Sequence, residues 1–160
     1  MERLKITQES IQNELNSYKN KPEETLIEYI WNSFDADAKT VEINYNNSDL
    51  GYIDSVIISD DGQGWDFSDN NTDYFMASAK KNASVKNLSL PHGKLGRGRY
   101  TFIWHAYSLC AKSKGQKLTL LPNAEYKIED CDDAPKKGAI VELTGIRESL
   151  GNALKSEENL

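Results

Sequence analysis

The chain has 160 residues, of which 38% are hydrophobic and 28% charged, and its formal net charge is −6. This balance is typical of one globular domain, and no apolar run approaches the roughly 20 residues that span a bilayer. We therefore expect a cytoplasmic protein without a membrane segment. Two cysteines outside any CxxC pattern argue against a disulfide framework or a zinc site, and two histidines exclude a multi-histidine metal centre.

Helices and strands can be predicted in the first half of the chain from apolar periodicity and turn residues. Gln8–Tyr18 is helix-compatible, and Lys21-Pro22 begins a second helix that runs to about Ala38. Strands are predicted over Thr40–Tyr45 and Tyr52–Ser59, joined by a polar turn. The second helix carries Ile27, Ile30, Trp31, Phe34 and Ala38 on one stripe, which we expect to be buried.

In the second half, one or two short helices are predicted over Asp66–Ala79, a loop over Lys80–Gly93 and a helix over Gly98–Ala111. Three strands follow, over Gln116–Leu121, Glu125–Glu129 and Ala139–Leu143, before a polar, weakly helical tail at Glu148–Leu160. This order predicts an α/β (α+β) two-layer sandwich.

Charge is unevenly distributed along the chain. From Tyr74 to Ala124 there is no Asp or Glu, although nine of the 19 basic residues lie there. Such a stretch is suited to an anionic ligand, and a phosphate chain or a nucleic-acid backbone would both fit.

The first candidate site is one edge of the second helix. Glu28, Asn32 and Asp35 are spaced i, i+4 and i+7, which places them on one side of the helix. The Asn32 amide oxygen could ligate Mg²⁺, Glu28 could take a proton from water attacking a terminal phosphate, and Asp35 could hydrogen-bond water or a nucleotide. A solvated helix face is the alternative interpretation.

The second and third candidates are glycine loops. Asp60 ends a strand before Gly62 and Gly64, so its carboxylate could accept a hydrogen bond from an exocyclic amine such as that of adenine. A plain strand-ending turn remains the alternative. Gly93-Lys94-Leu95-Gly96-Arg97-Gly98-Arg99 could cradle phosphates through its backbone amides and three cations, or could be a flexible basic loop.

In this order the motifs resemble those of the GHKL ATPase superfamily, which has the Bergerat ATP-binding fold and includes DNA gyrase B, the ninety-kilodalton heat-shock chaperone, histidine kinases and MutL mismatch-repair proteins. Glu28 to Ala36 fits E-x-x-x-N-x-x-D-A, Asp60 to Gly64 fits D-x-G-x-G, and Gly93 to Gly98 fits G-x-x-G-x-G. Gly138 to Leu143 is similar to the family's closing strand. The resemblance implies a mixed sheet covered on one face by helices.

The resemblance also implies roles for matching residues. Glu28 would be the general base, Asn32 the Mg²⁺ ligand and Asp60 the adenine reader, with Asp35 beside them. Gly62 and Gly64 would shape the adenine pocket. Phosphates would be contacted by residues of the third motif and the start of the lid, namely Lys80, Lys94, Gly96, Arg97, Gly98 and Arg99.

The implied organisation is an ATP-binding domain over residues 1–147, with an ATP lid at about 78–95, and a tail over 148–160 leading to a further domain. The closing strand and first motif look most like the chaperone and mismatch-repair branches. The resemblance implies Mg-ATP as ligand, an ATP-dependent homodimer or partner domain, and slow hydrolysis without that partner. Two residues depart from the family pattern: Ala139 replaces a usual Thr, and Asp37 replaces a common Gly.

Two other functions compete with an ATP-hydrolysing switch. A histidine-kinase-like phosphotransferase would need a phosphoacceptor histidine, and neither His92 nor His105 has that sequence context. A non-enzymatic nucleic-acid binder would use the acid-free stretch but leaves Glu28, Asn32 and Asp60 unexplained. Nucleic acid is therefore not expected as a partner of this domain alone.

Overall fold

The computed structural model describes residues 13, 15–67, 98–123 and 125–158. Within them lie two α-helices, α1 (Pro22–Asp35) and α2 (Glu148–Glu158), and two 3-10 helices, Asn16–Tyr18 and Gly98–Trp104. The strands are β1 (Val41–Asn47), β2 (Ile53–Asp60), β3 (Ser108–Ser113), β4 (Gln116–Leu120), β5 (Tyr126–Asp130) and β6 (Ala139–Thr144).

The six strands form one sheet in the order β1-β2-β6-β3-β4-β5. The α+β class is confirmed, but the pairing differs in detail, because all five pairings between the described strands are antiparallel rather than mixed. The last strand, β6, lies between β2 and β3. Its first residue, Ala139, is therefore directly opposite Asp60, the last residue of β2.

One face of the sheet packs against the helices and holds the core. Burial alternates along β3 and along β6, with every second side chain turned into the protein. This period of two is expected for strands with one covered face. Side chains from both layers fill the core, among them Tyr29 of α1, Phe102 of the second 3-10 helix, Leu109, Leu143 and Leu150 of α2.

Helix α1 begins and ends as its sequence predicts, but it faces the sheet with a different side. Pro22 occupies its first turn with Glu23 and Glu24, and the chain leaves the helix through Asp37 at a positive φ of 60°. An Asp tolerates this left-handed conformation better than most residues.

The expected buried stripe of α1 is wrong for three of its five residues, whereas Ile30 is half-buried and Ala38 is buried. Ile27, Trp31 and Phe34 are 46%, 38% and 43% exposed. The helix instead buries Pro22, Thr25, Tyr29 and Ser33. Two small hydroxyl side chains and one tyrosine make this face, and they bring hydrogen-bonding groups to the sheet and to the second 3-10 helix. Helical periodicity was therefore predicted correctly, whereas the direction of burial was not.

The predicted helix over Gly98–Ala111 is also wrong in its second half. Gly98–Trp104 forms a 3-10 helix, and Ser108–Ser113 is strand β3 in the interior of the sheet. Phe102, Ile103, Ala106 and Leu109 have a helix-like spacing, which misled the prediction. Strand β3 pairs with both β4 and β6, so its backbone groups are hydrogen-bonded on two sides. The stability gained from this pairing outweighs the local preference for a helix.

The segment expected to be a polar, weakly helical tail forms helix α2, and its Leu150 and Leu154 join the core. The predicted loop over 80–93 and the expected lid at about 78–95 lie outside the described residues, as do most of the helices predicted over 8–18 and 66–79. No helix among the described residues is long and apolar enough to cross a membrane.

Candidate functional site

Asp60 lies at the end of β2, where its carboxylate faces α1. The Ser33 hydroxyl donates to Asp60 Oδ2 over 2.7 Å, and the Gly62 backbone N–H donates to Oδ1 over 2.9 Å. A carboxylate offers about four acceptor positions, so Asp60 retains capacity for a further donor. The structure thus holds Asp60 in one orientation at the end of an interior strand.

Ser33 provides the hydroxyl that Ala139 lacks. Ala139 is buried directly opposite Asp60 in the sheet, and its methyl group cannot donate a hydrogen bond. Ser33 reaches the same carboxylate from the helical layer. Among the described residues, the side-chain hydroxyl that bonds Asp60 is therefore that of Ser33 on α1.

Glycines shape the loop that follows Asp60. A side chain at Gly62 would put its Cβ 2.6 Å from the Ala36 carbonyl oxygen. At Gly64, where φ is +79°, a Cβ would lie 2.7 Å from the Gly138 carbonyl oxygen. Both distances are too short for a real Cβ contact, so only glycine permits the loop to pass this close to α1 and β6.

Ser113 connects the same loop to the sheet by hydrogen bonds. Its buried hydroxyl donates to the Gly138 carbonyl over 2.7 Å and accepts from the Trp65 backbone N–H over 3.0 Å. One side chain at the end of β3 thus ties the Gly62–Gly64 loop to the start of β6.

Asp61, the neighbour of Asp60, serves the turn after α1. Its carboxylate accepts the backbone N–H groups of Thr40 and Lys39 over 2.9 and 2.8 Å, and these bonds lower its pKa. Gln63 makes two further bonds to the same turn, to the Ala36 carbonyl and the Asp37 carboxylate. The two adjacent aspartates therefore face different partners.

Glu28, Asn32 and Asp35 lie along one flank of α1, between its buried face and its outer face. Glu28 and Asn32 are half-buried and Asp35 is exposed. Glu28 Oε1 accepts a hydrogen bond of 2.8 Å from the Tyr18 hydroxyl. Five residues separate Glu28 from Ser33, which is about 7 Å along the helix axis, so this flank reaches from the Asp60 end of the site toward the start of α1.

The described end of the third motif lies against α1. The Tyr29 hydroxyl donates to the Arg99 carbonyl over 2.7 Å, and full burial raises the pKa of this tyrosine above its usual range. Gly98 and Arg99 therefore sit beside the helical turn that bears Glu28. The chain from Gly98 to Trp104 forms a short 3-10 helix. Lys80, Lys94, Gly96 and Arg97 lie outside the described residues.

His105 is buried and has a partner at each ring nitrogen. Nε2 lies 2.9 Å from the Tyr18 carbonyl oxygen and Nδ1 lies 3.1 Å from Ser149 Oγ. Burial lowers the pKa of the imidazole. These contacts give His105 a structural role and leave it unsuited to accept a phosphoryl group. His92 lies outside the described residues.

Part of the acid-free stretch is neutralised by acids from elsewhere in the chain. Lys112 forms an ion pair with Asp133 at 2.8 Å, and Lys117 one with Glu129 at 3.5 Å. These pairs reduce the positive charge that the sequence alone indicated for this stretch.

Sequence reasoning missed Ser33, Ser113, Tyr29 and Tyr18. Thr25, Tyr29 and Ser33 follow one another at the i, i+4 spacing of a helix face. A helical-wheel projection that includes polar and aromatic residues could therefore have predicted that this face is buried. Ser113 and Tyr18 act across elements distant in sequence, and no local pattern indicated them.

The residues present are compatible with Mg²⁺ held by a nucleotide. The described residues contain no group of three or more His, Cys, Asp or Glu side chains arranged to hold a metal ion. Mg²⁺ commonly takes only one or two protein oxygens and completes its shell with phosphates and water. The half-buried Asn32 amide, one turn from Glu28, offers such an oxygen.

A two-layer sandwich with an oriented carboxylate at the end of an interior strand and a polar helix flank beside it is compatible with a nucleotide-binding domain. Residues 19–143 match the family described as Histidine kinase-, DNA gyrase B-, and HSP90-like ATPase. This match covers most of the chain, and the protein belongs to that family. It is thus an ATP-binding domain of the ATPase type.

Among solved structures, the chain is similar to the N-terminal domain of a DNA repair protein, with 19% sequence identity and a TM-score of 0.48. That likeness covers 84% of this chain and 38% of the other. No curated protein matches the chain by sequence.

Proposed function

We propose that this domain binds ATP with Mg²⁺ and hydrolyses it slowly, as a conformational switch within a larger protein or complex. The observation that carries the proposal is the Ser33–Asp60 hydrogen bond. It holds an adenine-type acceptor against the same helix that bears Glu28 and Asn32. Family membership supports the ATPase class, and the geometry supports the individual roles below.

The adenine end of the proposed site is Asp60. Its carboxylate accepts the 6-amino group of adenine, while Ser33 and the Gly62 N–H hold both of its oxygens in place. The two glycines let the Gly62–Gly64 loop pack closely against Ala36 and Gly138, and the loop thereby shapes the adenine pocket beside Asp60.

The phosphate end of the proposed site is the start of the same helical flank. Glu28 takes the proton from the attacking water, and Asn32 supplies an oxygen ligand for Mg²⁺. The metal, when bound, would neutralise phosphate charge. Gly98 and Arg99 contact phosphates in this proposal, which is supported by the hydrogen bond that holds the Arg99 carbonyl against Tyr29 of α1. Asp35 hydrogen-bonds water or the nucleotide, and Lys80, Lys94, Gly96 and Arg97 complete the phosphate contacts.

The proposed switch is closure of the lid at about 78–95 over bound ATP, followed by homodimerisation or engagement of a partner domain. Chain connectivity supports this assignment, because residues 65–92 join the adenine loop at Gly62–Gly64 to the phosphate loop at Gly93–Gly98. A nucleotide bound at both loops would therefore favour the closed conformation of the segment between them.

Calorimetric titration with ATP and with ITP tests the adenine assignment. ITP differs at the base by replacing the 6-amino donor with an oxygen, so it leaves the Asp60 carboxylate without its partner. A buried acceptor without its donor costs about 1–3 kcal/mol, or roughly a 5- to 150-fold weaker affinity. We expect ATP to bind with Mg²⁺ and ITP to bind more weakly by that factor.

Asp61→Asn is the matched control for Asp60→Asn. Asp60→Asn should lose ATP affinity and Asp61→Asn should retain it, because Asp61 faces the backbone of Lys39 and Thr40. Absence of ATP binding at millimolar concentration would overturn the proposal. Equal affinity for ATP and ITP would overturn the role of Asp60 alone.

Turnover measurements test the general base. Glu28→Ala should bind ATP normally and hydrolyse it at least about 100-fold more slowly, within the range that general-base catalysis contributes. Glu24→Ala is the control, since Glu24 lies one turn earlier in an exposed ion pair with Lys21. Normal hydrolysis by Glu28→Ala would refute the assignment.

A further inference from the structure

Glu28 is held by a side chain from outside its own helix. The Tyr18 hydroxyl donates to Glu28 Oε1 over 2.8 Å across ten residues of sequence. Within the described part of the chain, no residue donates to the other oxygen, Oε2. Burial, together with the neighbouring Glu28 carboxylate, raises the pKa of Tyr18 to about 12, so the phenol keeps its proton at neutral pH and remains a donor.

Tyr18 is itself fixed from several sides. It ends the first 3-10 helix, its ring packs against the core, and its backbone N–H bonds the Leu15 carbonyl. The Tyr18 carbonyl oxygen lies 2.9 Å from His105 Nε2, and the Leu15 carbonyl accepts the Trp104 indole N–H over 2.8 Å. The segment before α1 is thus bonded to the chain that follows the phosphate loop.

We propose that Tyr18 is a positioning residue for hydrolysis: its hydroxyl holds one oxygen of the Glu28 carboxylate so that the other is turned toward the attacking water. The inference rests on the proposed function, because it takes Glu28 as the general base. A glutamate has three side-chain torsions, and fixing its orientation before the reaction removes an entropic cost from the chemical step. Orientation of a base by a third group is a general feature of acid–base sites.

Tyr18→Phe is the decisive variant because it removes the hydroxyl and keeps the ring in the core. We expect kcat for ATP hydrolysis to fall about 10- to 100-fold, the effect of misplacing a reacting group by a fraction of an ångström to an ångström. The ATP Kd from calorimetry should stay within about twofold of wild type, as expected for a loss confined to the chemical step. Tyr126→Phe, on the far edge strand β5, is the matched control and should change neither quantity.

The outcomes separate the two proposals. If Glu28→Ala abolishes turnover while Tyr18→Phe hydrolyses ATP at the wild-type rate, the positioning role is refuted and the base assignment stands. If Tyr18→Phe weakens ATP binding as much as it lowers kcat, the tyrosine has only a structural role and the inference again fails. If wild type binds ATP but shows no turnover in single-turnover assays, the proposed hydrolysis fails first.

The contact can also be checked without turnover. In a protein labelled at the Cζ carbon of tyrosine, Tyr18→Phe identifies the Tyr18 resonance. Glu28→Gln should shift that resonance by removing the charged acceptor, whereas Glu42→Gln on β1 should not. An unchanged Tyr18 resonance in Glu28→Gln would overturn the inference independently of any activity.

Discussion

The Ser33 hydroxyl donates to Asp60 Oδ2 over 2.7 Å and thereby joins α1 to the end of β2 across the two layers of the fold. Ala139, opposite Asp60 in the sheet, carries no polar side-chain atom. The orientation of the proposed adenine reader therefore depends on Ser33 of the helix together with the Gly62 backbone N–H.

Ser33→Ala should weaken ATP binding about 10-fold, because loss of one hydrogen bond to a charged group removes roughly 1.5 kcal/mol or more. Ala139→Thr in the Ser33→Ala background should restore much of the loss, since position 139 faces the same side of the sheet as Asp60. Calorimetry with Mg-ATP measures both effects. Full affinity in Ser33→Ala would show that Asp60 does not need this donor.

Gly138→Ala should destabilise the fold by about 3 kcal/mol, the sum of left-handed backbone strain and of overpacking. Gly138 has a φ of +78°, and an added Cβ would collide with the Asp60 carbonyl. Gly115→Ala is the control, because Gly115 has the same φ of +78° but open space around it. It should cost only about 1 kcal/mol in urea unfolding, and equal losses in the two variants would contradict the packing explanation.

Thr25→Val should stabilise the fold by about 1 kcal/mol, because an unsatisfied buried hydroxyl carries a desolvation cost. Thr25 Oγ1 is buried and has no hydrogen-bond partner among the described residues. Thr101→Val is the contrasting variant, since the equally buried Thr101 hydroxyl bonds Tyr29 and its loss should destabilise. Thermal unfolding of both variants tests this, and a destabilised Thr25→Val would indicate an unrecognised partner.

Stability should fall as the pH drops below about 6.5, the ordinary pKa of histidine. Burial lowers the pKa of His105 in the folded state, and Arg147 lowers it further, while the Tyr18 carbonyl and Glu23 act in the opposite direction. The unfolded chain then binds more protons than the native one in this window, so the contribution of His105 is present above pH 6.5 and is lost as the pH falls through the folded pKa.

The free energy of unfolding, measured between pH 5 and 8, should show this slope, and His105→Asn should flatten it. If His105→Asn does not fold, proton NMR of the wild-type imidazole provides the same test. A His105 resonance that titrates above pH 6.5 would contradict the expected direction.

Much of the fold and the identity of the family could be predicted from the sequence. The spacing of Glu28, Asn32 and Asp35, and Asp60 followed by two glycines, are local patterns. Such patterns can be recognised from the sequence because they depend only on the backbone geometry of neighbouring residues. The same holds for α1, β1, β2 and β4 to β6, whose periodicity and turn residues agree with the structure.

Tertiary structure alone decided which side of α1 is buried, that Ser108–Ser113 is a strand, and that Ser33 and Tyr18 bond to Asp60 and Glu28. Each outcome depends on a partner far away in the sequence. A helix with apolar residues on one side and hydroxyl-bearing residues on another can face its sheet in two ways. The hydrogen-bonding groups of the other layer decide which side of the helix is buried. A buried hydroxyl group or an unpaired strand edge stabilises the fold only where a matching donor or acceptor lies opposite it.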